Sequence, residues 1–219
     1  MHFELLVEDQ SGKIALDILI PKIINTKQHT FNVHCYKGIG HIPKNLKSSS
    51  DPKKRILLDQ LPRLVEGYGK TFAGYPPDYP AVLIVLCDLD DRCLKVFRKE
   101  LLGCVERCDP RPETYFCIAI EEGEAWYLGD LAAVKKAFIN VKNHVLNSYK
   151  NDDICGTWET LADAVFNGGR KSLSKLGWQA IGQEKAIWSA KISPFMDIDN
   201  NLSPSFCYFR DKLRRLSGD

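Results

Sequence analysis

Apolar residues recur along the first 130 positions in short blocks of two different periods. "HFELLVE" (His2–Glu8) is apolar and runs into polar turn residues, which predicts a strand. "GKIALDILIPKII" (Gly12–Ile24) puts Ile14, Leu16, Ile18, Leu19 and Ile23 mostly on one broad face, which predicts a helix whose last turn Pro21 disturbs. "TFNVHCY" (Thr30–Tyr36) alternates Phe31, Val33 and Cys35 and predicts a second strand. Strand, helix, strand is a βαβ unit, so these two strands should be parallel.

A long polar loop, Lys37–Asp51, follows. Asp51 before Pro52 marks a helix start, with an acceptor at the N-cap and proline at the first helical position. The helix it opens, Pro52–Gly69, carries Pro62, which should kink or split it. "AVLIVLC" (Ala81–Cys87) is a third strand, Leu94 to Glu106 a helix, and "TYFCIAI" (Thr114–Ile120) a fourth strand. Strands alternating with helices predict an α/β domain over 1–130, with a mostly parallel four-stranded sheet and flanking helices. Residues 131–219 show no clear strand runs and predict a C-terminal helical extension. Within it Thr157 is placed to cap a helix bearing Trp158, Leu161 and Val165, and Ser203–Leu216 reads as an amphipathic helix with a basic end.

Composition narrows the class without naming a partner. Thirty basic against 28 acidic residues leave a net charge of +2, which neither requires nor excludes a nucleic-acid partner. No apolar run approaches the ~20 residues of a membrane helix. The acidic turn of "MHFELLVED" predicts no signal peptide. The eight cysteines include no CxxC pair and several lie in apolar runs, so free thiols in a reducing cytoplasm are expected.

The acids are the feature that changes the picture. Glu8 and Asp9 end the first strand, Asp88, Asp90 and Asp91 the third, and Glu121, Glu122 and Glu124 the fourth. In a parallel α/β sheet, function collects at the carboxyl ends of the strands. Alternation in an extended chain would turn Asp88 and Asp90 to one face and Asp91 away. Hard oxygen donors of this kind suit Mg²⁺, Mn²⁺ or Ca²⁺, and a second ion would make an in-line phosphodiester displacement feasible. Taken singly, Asp90 or Asp91 reads equally well as a cap for the next helix, and Glu122 and Glu124 as helix-start residues.

A strand ending in glutamate and a later strand ending in Asp-x-Asp resembles the Toprim domain shared by topoisomerases, primases and OLD-family nucleases. "LLVEDQSG", "IAIEEGEAWYLGD" (Ile118–Asp130) and "SPSFCYFRDKL" (Ser203–Leu213) resemble the motifs of a group of uncharacterised bacterial Toprim-like proteins. The resemblance implies a Toprim-like, Rossmann-like fold. It implies a Mg²⁺- or Mn²⁺-dependent nuclease, with Glu8, Asp88 and Asp90 as catalytic and metal-binding residues; Glu122 and Glu124, acids expected on the same rim, are candidate further metal ligands that would compensate for the acid missing at Gly12. It also implies nucleic acid as a partner, an ABC-type ATPase partner and a role in phage defence. Two departures stand out: Asp9 where such domains place glycine, and Gly12 where OLD-like members carry a further acid.

Other residues carry weaker signals. "YKGIGHIPK" offers Lys37, Gly38, Gly40, His41 and Lys44 to a phosphate, though it lacks the GxxxxGK[ST] pattern. "KSSSDPKKR" (Lys47–Arg55) is a basic cluster suited to a nucleic-acid backbone or to plain solvation. Trp126, Trp158, Trp178 and Trp188 are expected in the core or at domain contacts. The competing functions are a degenerate, non-catalytic partner of an ATPase, and a phosphatase using Asp88 as nucleophile. Arg92 disfavours the phosphatase, because haloacid-dehalogenase-type motifs usually end in a threonine followed by a small residue.

Overall fold

The computed structural model describes residues 1–45, 51–152 and 156–218. It divides into two compact units, one of residues 1–13 and 25–118, the other of residues 14–24 and 119–219.

The first unit is built on a four-stranded, mostly parallel sheet: β1 (His2–Val7), β2 (Thr30–Cys35), β3 (Ala81–Asp88) and β4 (Thr114–Ala119), in the order β2-β1-β3-β4. β1 pairs in parallel with both β2 and β3. The apolar run of β3 has the composition of a parallel strand covered on both faces, and Val82 to Val85 are fully buried. The chain passes from β1 to one side for β2 and then to the other side for β3. The crevice between β1 and β3 is therefore the switch point of the topology, where ligands collect in open α/β sheets.

Helix α1 (Gln10–Ile23) opens on Asp9, whose carboxylate accepts from the Ser11 hydroxyl at 2.8 Å and from the Gly12 amide at 2.8 Å. Asp9 thus serves as a side-chain cap, a task a glycine at that position could not perform. Asp51 caps the short 3₁₀ turn Pro52–Lys54 through the Lys53 amide. The break in the helical segment expected over Pro52–Gly69 falls at Arg55, whose φ is +54°, and not at Pro62. Helix α2 (Leu57–Ala73) runs through Pro62, burying Leu57, Leu58, Leu61 and Val65. Four buried apolar side chains on one stripe outweigh the loss of one backbone donor near the helix start. Helix α3 (Leu94–Glu106) packs on α2 with Phe97, Leu101 and Cys104 inward.

The second unit is helical. Besides most of α1 it contains α4 (Glu124–Leu128), α5 (Leu131–Ala137), α6 (Asn143–Leu146), α7 (Thr157–Val165), α8 (Gly169–Lys175), α9 (Trp178–Ile192) and α10 (Pro204–Ser217). Its core stacks Trp126 on Phe209 and sets it edge-on to Phe206, while Trp188 is fully buried. Lys22 of α1 donates to the carbonyls of Ser193, Pro194 and Met196. Ser203 caps α10 through the Phe206 amide. Trp178 departs from expectation: it is 79% exposed at the start of α9. Among the described residues no helix is long and apolar enough to cross a membrane.

Candidate functional site at the carboxyl rim of the sheet

The pairing of β1 with β3 is in register, Val7 opposite Leu86, so Glu8 comes level with Cys87 and Asp88 stands one residue further on. Both residues sit at the carboxyl ends of adjacent parallel strands, flanking the switch-point crevice. Burial pushes the Cys87 thiol well above its ordinary pKa, and the charges of Asp88 and Glu8 add to that push. One buried sulfur thus feels both carboxylates. The backbone around Glu8 is held firmly, its carbonyl accepting from the Gly38 amide at 3.0 Å.

Asp90 is arranged differently from the expected extended alternation. The strand stops at Asp88, Leu89 turns into the core, and Asp90 takes a left-handed conformation with φ +51°. A buried Leu89 anchors the turn, so the two-residue period that would align Asp88 with Asp90 ends with the strand. Asp90 instead binds Arg92, its carboxylate 3.1 Å from the guanidinium. Arg92 in turn lies over the Phe97 ring, 4.9 Å from its centroid.

The loop after β2 contributes side chains more than amides. The Gly38 amide is committed to Glu8, the Lys37 amide to the Arg55 carbonyl at 2.8 Å, and the His41 amide to the Asp59 carboxylate at 2.9 Å. These bonds remove the N–H groups expected to cradle a phosphate at Gly38 and His41. Gly40 is a structural necessity: at φ +68° a Cβ would stand 2.1 Å from the Ile56 side chain. Gly40, His41 and Lys44 line one wall of a groove of about 510 Å³, and α3 supplies the other. Lys37 and Gly38 lie outside that lining. Of the basic cluster Lys47–Arg55, residues 47–50 lie outside the described residues.

Glu121, Glu122 and Glu124 belong to the helical unit, where the protein itself answers their charge. Lys185 of α9 reaches Glu122 at 3.0 Å and Glu124 at 3.1 Å, and Glu124 is 2% exposed. Glu122 also accepts from the Thr157 hydroxyl. The Glu121 carboxylate accepts from the Gly156 amide and, at 2.8 Å, from the Thr157 amide. The cap of α7 is therefore a glutamate 36 residues upstream, while Thr157, expected in that role, is the first residue of the helix and buried. An ammonium already sits between the two carboxylates read as metal ligands.

Three sets of contacts escaped the sequence reading. Lys185 and Glu121 meet their partners across tens of residues, with no local signal. Arg92 and Arg107 complete the groove from α3 and its flanks. The third, Glu4, did leave a signal. His2 and Glu4 on β1 and Thr30, Asn32 and His34 on β2 alternate with the apolar residues and so share one sheet face. Glu4 accepts from His2 at 2.9 Å, Asn32 at 3.0 Å, His34 at 2.7 Å and the Tyr68 hydroxyl at 3.4 Å. Burial alone would raise its pKa, but the donors from His34, His2 and Asn32 outweigh burial and hold it at about 2.

All described cysteines are free, namely Cys35, Cys87, Cys93, Cys104, Cys108, Cys117 and Cys207. Among the described residues no group of three or more His, Cys, Asp or Glu side chains is arranged to hold a metal ion. No protein-family model, curated protein or solved structure matches the chain.

Proposed function

We propose that the chain is a Toprim-type, metal-dependent phosphodiester hydrolase acting on nucleic acid, with Glu8 and Asp88 at its centre. One observation carries this reading: two carboxylates on adjacent parallel strands end at the same rim, on either side of the topological switch point. Their chemistry suits Mg²⁺ or Mn²⁺, because Mg²⁺ is usually held by one or two carboxylates with water and phosphate completing its shell. Such an ion, bound by Glu8 and Asp88, would supply Lewis-acid charge to a phosphoryl oxygen and a more acidic water. Glu8, one of whose carboxylate oxygens is buried, would manage the proton of the attacking water. Asp90 would act through Arg92, keeping a guanidinium at the edge of the rim. Phage defence and an ABC-type ATPase partner belong to the same proposal and rest on the Toprim resemblance alone.

A non-catalytic, degenerate Toprim-like partner is the second reading. The Lys185 ammonium shared by Glu122 and Glu124 favours it, since these two carboxylates, expected as metal ligands, already hold a cation of the protein's own. Nuclease assays with Mg²⁺ and Mn²⁺ on single- and double-stranded DNA and on RNA separate the two. The hydrolase reading expects cleavage by the wild type that Asp88→Asn and Glu8→Gln abolish and that Asp91→Asn largely spares. Full activity in the Asp88 variant overturns the assignment. Silence of both the chain and its co-purified complex favours the degenerate reading.

A further inference from the structure

The groove between the loop after β2 and helix α3 has a composition of its own. Its floor is apolar, made by Ile42 and Pro43 from the loop, Leu58 from α2 and Phe97 from α3. Its charged lining is Lys44, Arg92 and Arg107 against one carboxylate, Glu100, among the described residues. Arg92 is fixed in place, paired with Asp90 on one side and resting on the Phe97 ring on the other. Lys44 and Arg107 stand exposed on opposite walls. From Lys27 to Arg63 inclusive the described residues carry seven basic side chains, Lys44 among them, and two acidic ones.

This combination selects a ligand. Cations on both walls call for an anion, and guanidinium groups favour phosphate through their fork of donors. A volume of about 510 Å³ exceeds what phosphate alone would fill and falls in the usual range for small-molecule pockets. An apolar floor beside the cations calls for a flat, weakly polar moiety attached to that phosphate. Glu100 offers an acceptor for a hydroxyl or an exocyclic amine. Gly103 leaves its stretch of the wall open, since a Cβ there would meet nothing within 4 Å. The geometry points to a binding site for a nucleoside phosphate, with the phosphate between Lys44, Arg92 and Arg107 and the base over Ile42 and Pro43.

The site needs neither Glu8 nor a metal ion, so it stands apart from the hydrolase reading. The same chemistry arises from a free nucleotide or from one unit of a single strand. Fluorescence anisotropy and calorimetry in EDTA test it, using adenosine 5′-monophosphate, adenosine, inorganic phosphate and a 5′-phosphorylated, labelled oligonucleotide. Binding of the nucleotide at least 10-fold tighter than adenosine or phosphate is expected. Lys44→Glu and Arg107→Glu should each weaken it 10-fold or more, while Lys171→Glu, exposed in the helical unit, leaves it unchanged. Gly103→Leu, which favours the helix and fills the groove, should abolish binding without unfolding the chain. An oligonucleotide more than 100-fold tighter than the mononucleotide identifies a strand as the source, and comparable affinities identify the free nucleotide. Equal binding by inorganic phosphate, undiminished binding by Arg107→Glu and Gly103→Leu, or no nucleotide binding at millimolar concentration would each overturn the site. Asp88→Asn should bind as the wild type does. Nucleotide binding by a chain whose co-purified complex also lacks nuclease activity would therefore count against the hydrolase reading and leave the groove standing.

Discussion

Two sets of acids follow apolar strands in this chain, and they live in different company. In the helical unit, Glu121, Glu122 and Glu124 hold the structure together: two share the Lys185 ammonium, and the first closes the amino end of α7. At the rim of the sheet, Glu8 and Asp88 end neighbouring strands and together bear on one buried thiol. Adjacent acids in sequence are thus no measure of a site. In the helical set, a lysine and a helix end from elsewhere in the fold have been brought to the acids; in the rim set, what the two acids share is their place at adjacent strand ends. Glu159, in the first turn of α7, shows the cost of crowding in the first set. Burial pushes its carboxyl above the usual range, and Glu122 and Glu121 add to the push.

If the helical set is structural, breaking its cation should have the largest effect on stability. Lys185→Met keeps the length of the side chain and removes the charge. It leaves Glu124, whose side chain is 3% exposed, and Glu122 without that ammonium. Removing one partner of a buried pair typically costs about 3–5 kcal/mol. Urea denaturation should show a loss of that order. A shift under about 1 kcal/mol would mean the pair is no more than a surface contact and would erase the distinction between the two sets.

Glu4 sharpens the comparison, being an acid in the sheet unit that is fully provided for. Its pKa is near 2 in the folded chain against 4.5 when unfolded. The folded value is depressed, so the stabilisation is present above about pH 4.5 and is lost as the pH falls towards 2. The shift corresponds to roughly 3 kcal/mol. Wild-type stability should fall over that window more steeply than that of Glu4→Gln, read from urea midpoints at pH 5 and pH 3. Parallel curves would show that the histidines do not hold the carboxylate.

The cap on α7 comes next in size. Glu121→Ala removes an acceptor of two amides at a helix start, a change worth about 1–2 kcal/mol. Hydrogen exchange should locate the loss in α7, with the sheet amides unaffected. Equal loosening of β1 and β3 would contradict a local role.

Much of this architecture was legible in the residues. Continuous apolar runs gave β1 and β3 away, and the alternation of "TFNVHC" gave β2. The four-stranded mostly parallel sheet followed from the order of elements. Three kinds of error have physical causes. Pro62 lies in a helix held by Leu57, Leu61 and Val65, so packing overrode a breaker. Asp90 was aligned with Asp88 by a period that ends where Leu89 turns inward. Lys185 lies 61 residues from Glu124, and no local pattern announces a contact at that range. In β2 the apolar half of the alternation drew notice while the polar half, Thr30, Asn32 and His34, carried the Glu4 network.

The smallest stability effect, and the one that most directly tests the contrast, belongs to the rim. Asp88→Asn preserves size and shape while removing a charge that stands with Glu8 near the Cys87 thiol. Repulsion between close like charges is relieved by the change, which offsets what is lost in neutralising one carboxylate. The thermal midpoint should therefore move by no more than about 2–4 °C, equivalent to roughly 1 kcal/mol for a chain of this size. Mg²⁺ or Mn²⁺ at millimolar concentration should raise the midpoint of the wild type, because an ion bound only by the native state stabilises it, and should leave that of Asp88→Asn unmoved. The same titration on Lys185→Met should behave as in the wild type if the ion is held by Glu8 and Asp88 and not by the acids that Lys185 binds. A metal response that survives in Asp88→Asn but disappears when Glu122 is changed to Gln would reverse the comparison, making the lysine-bound acids the metal site and the strand ends merely structural.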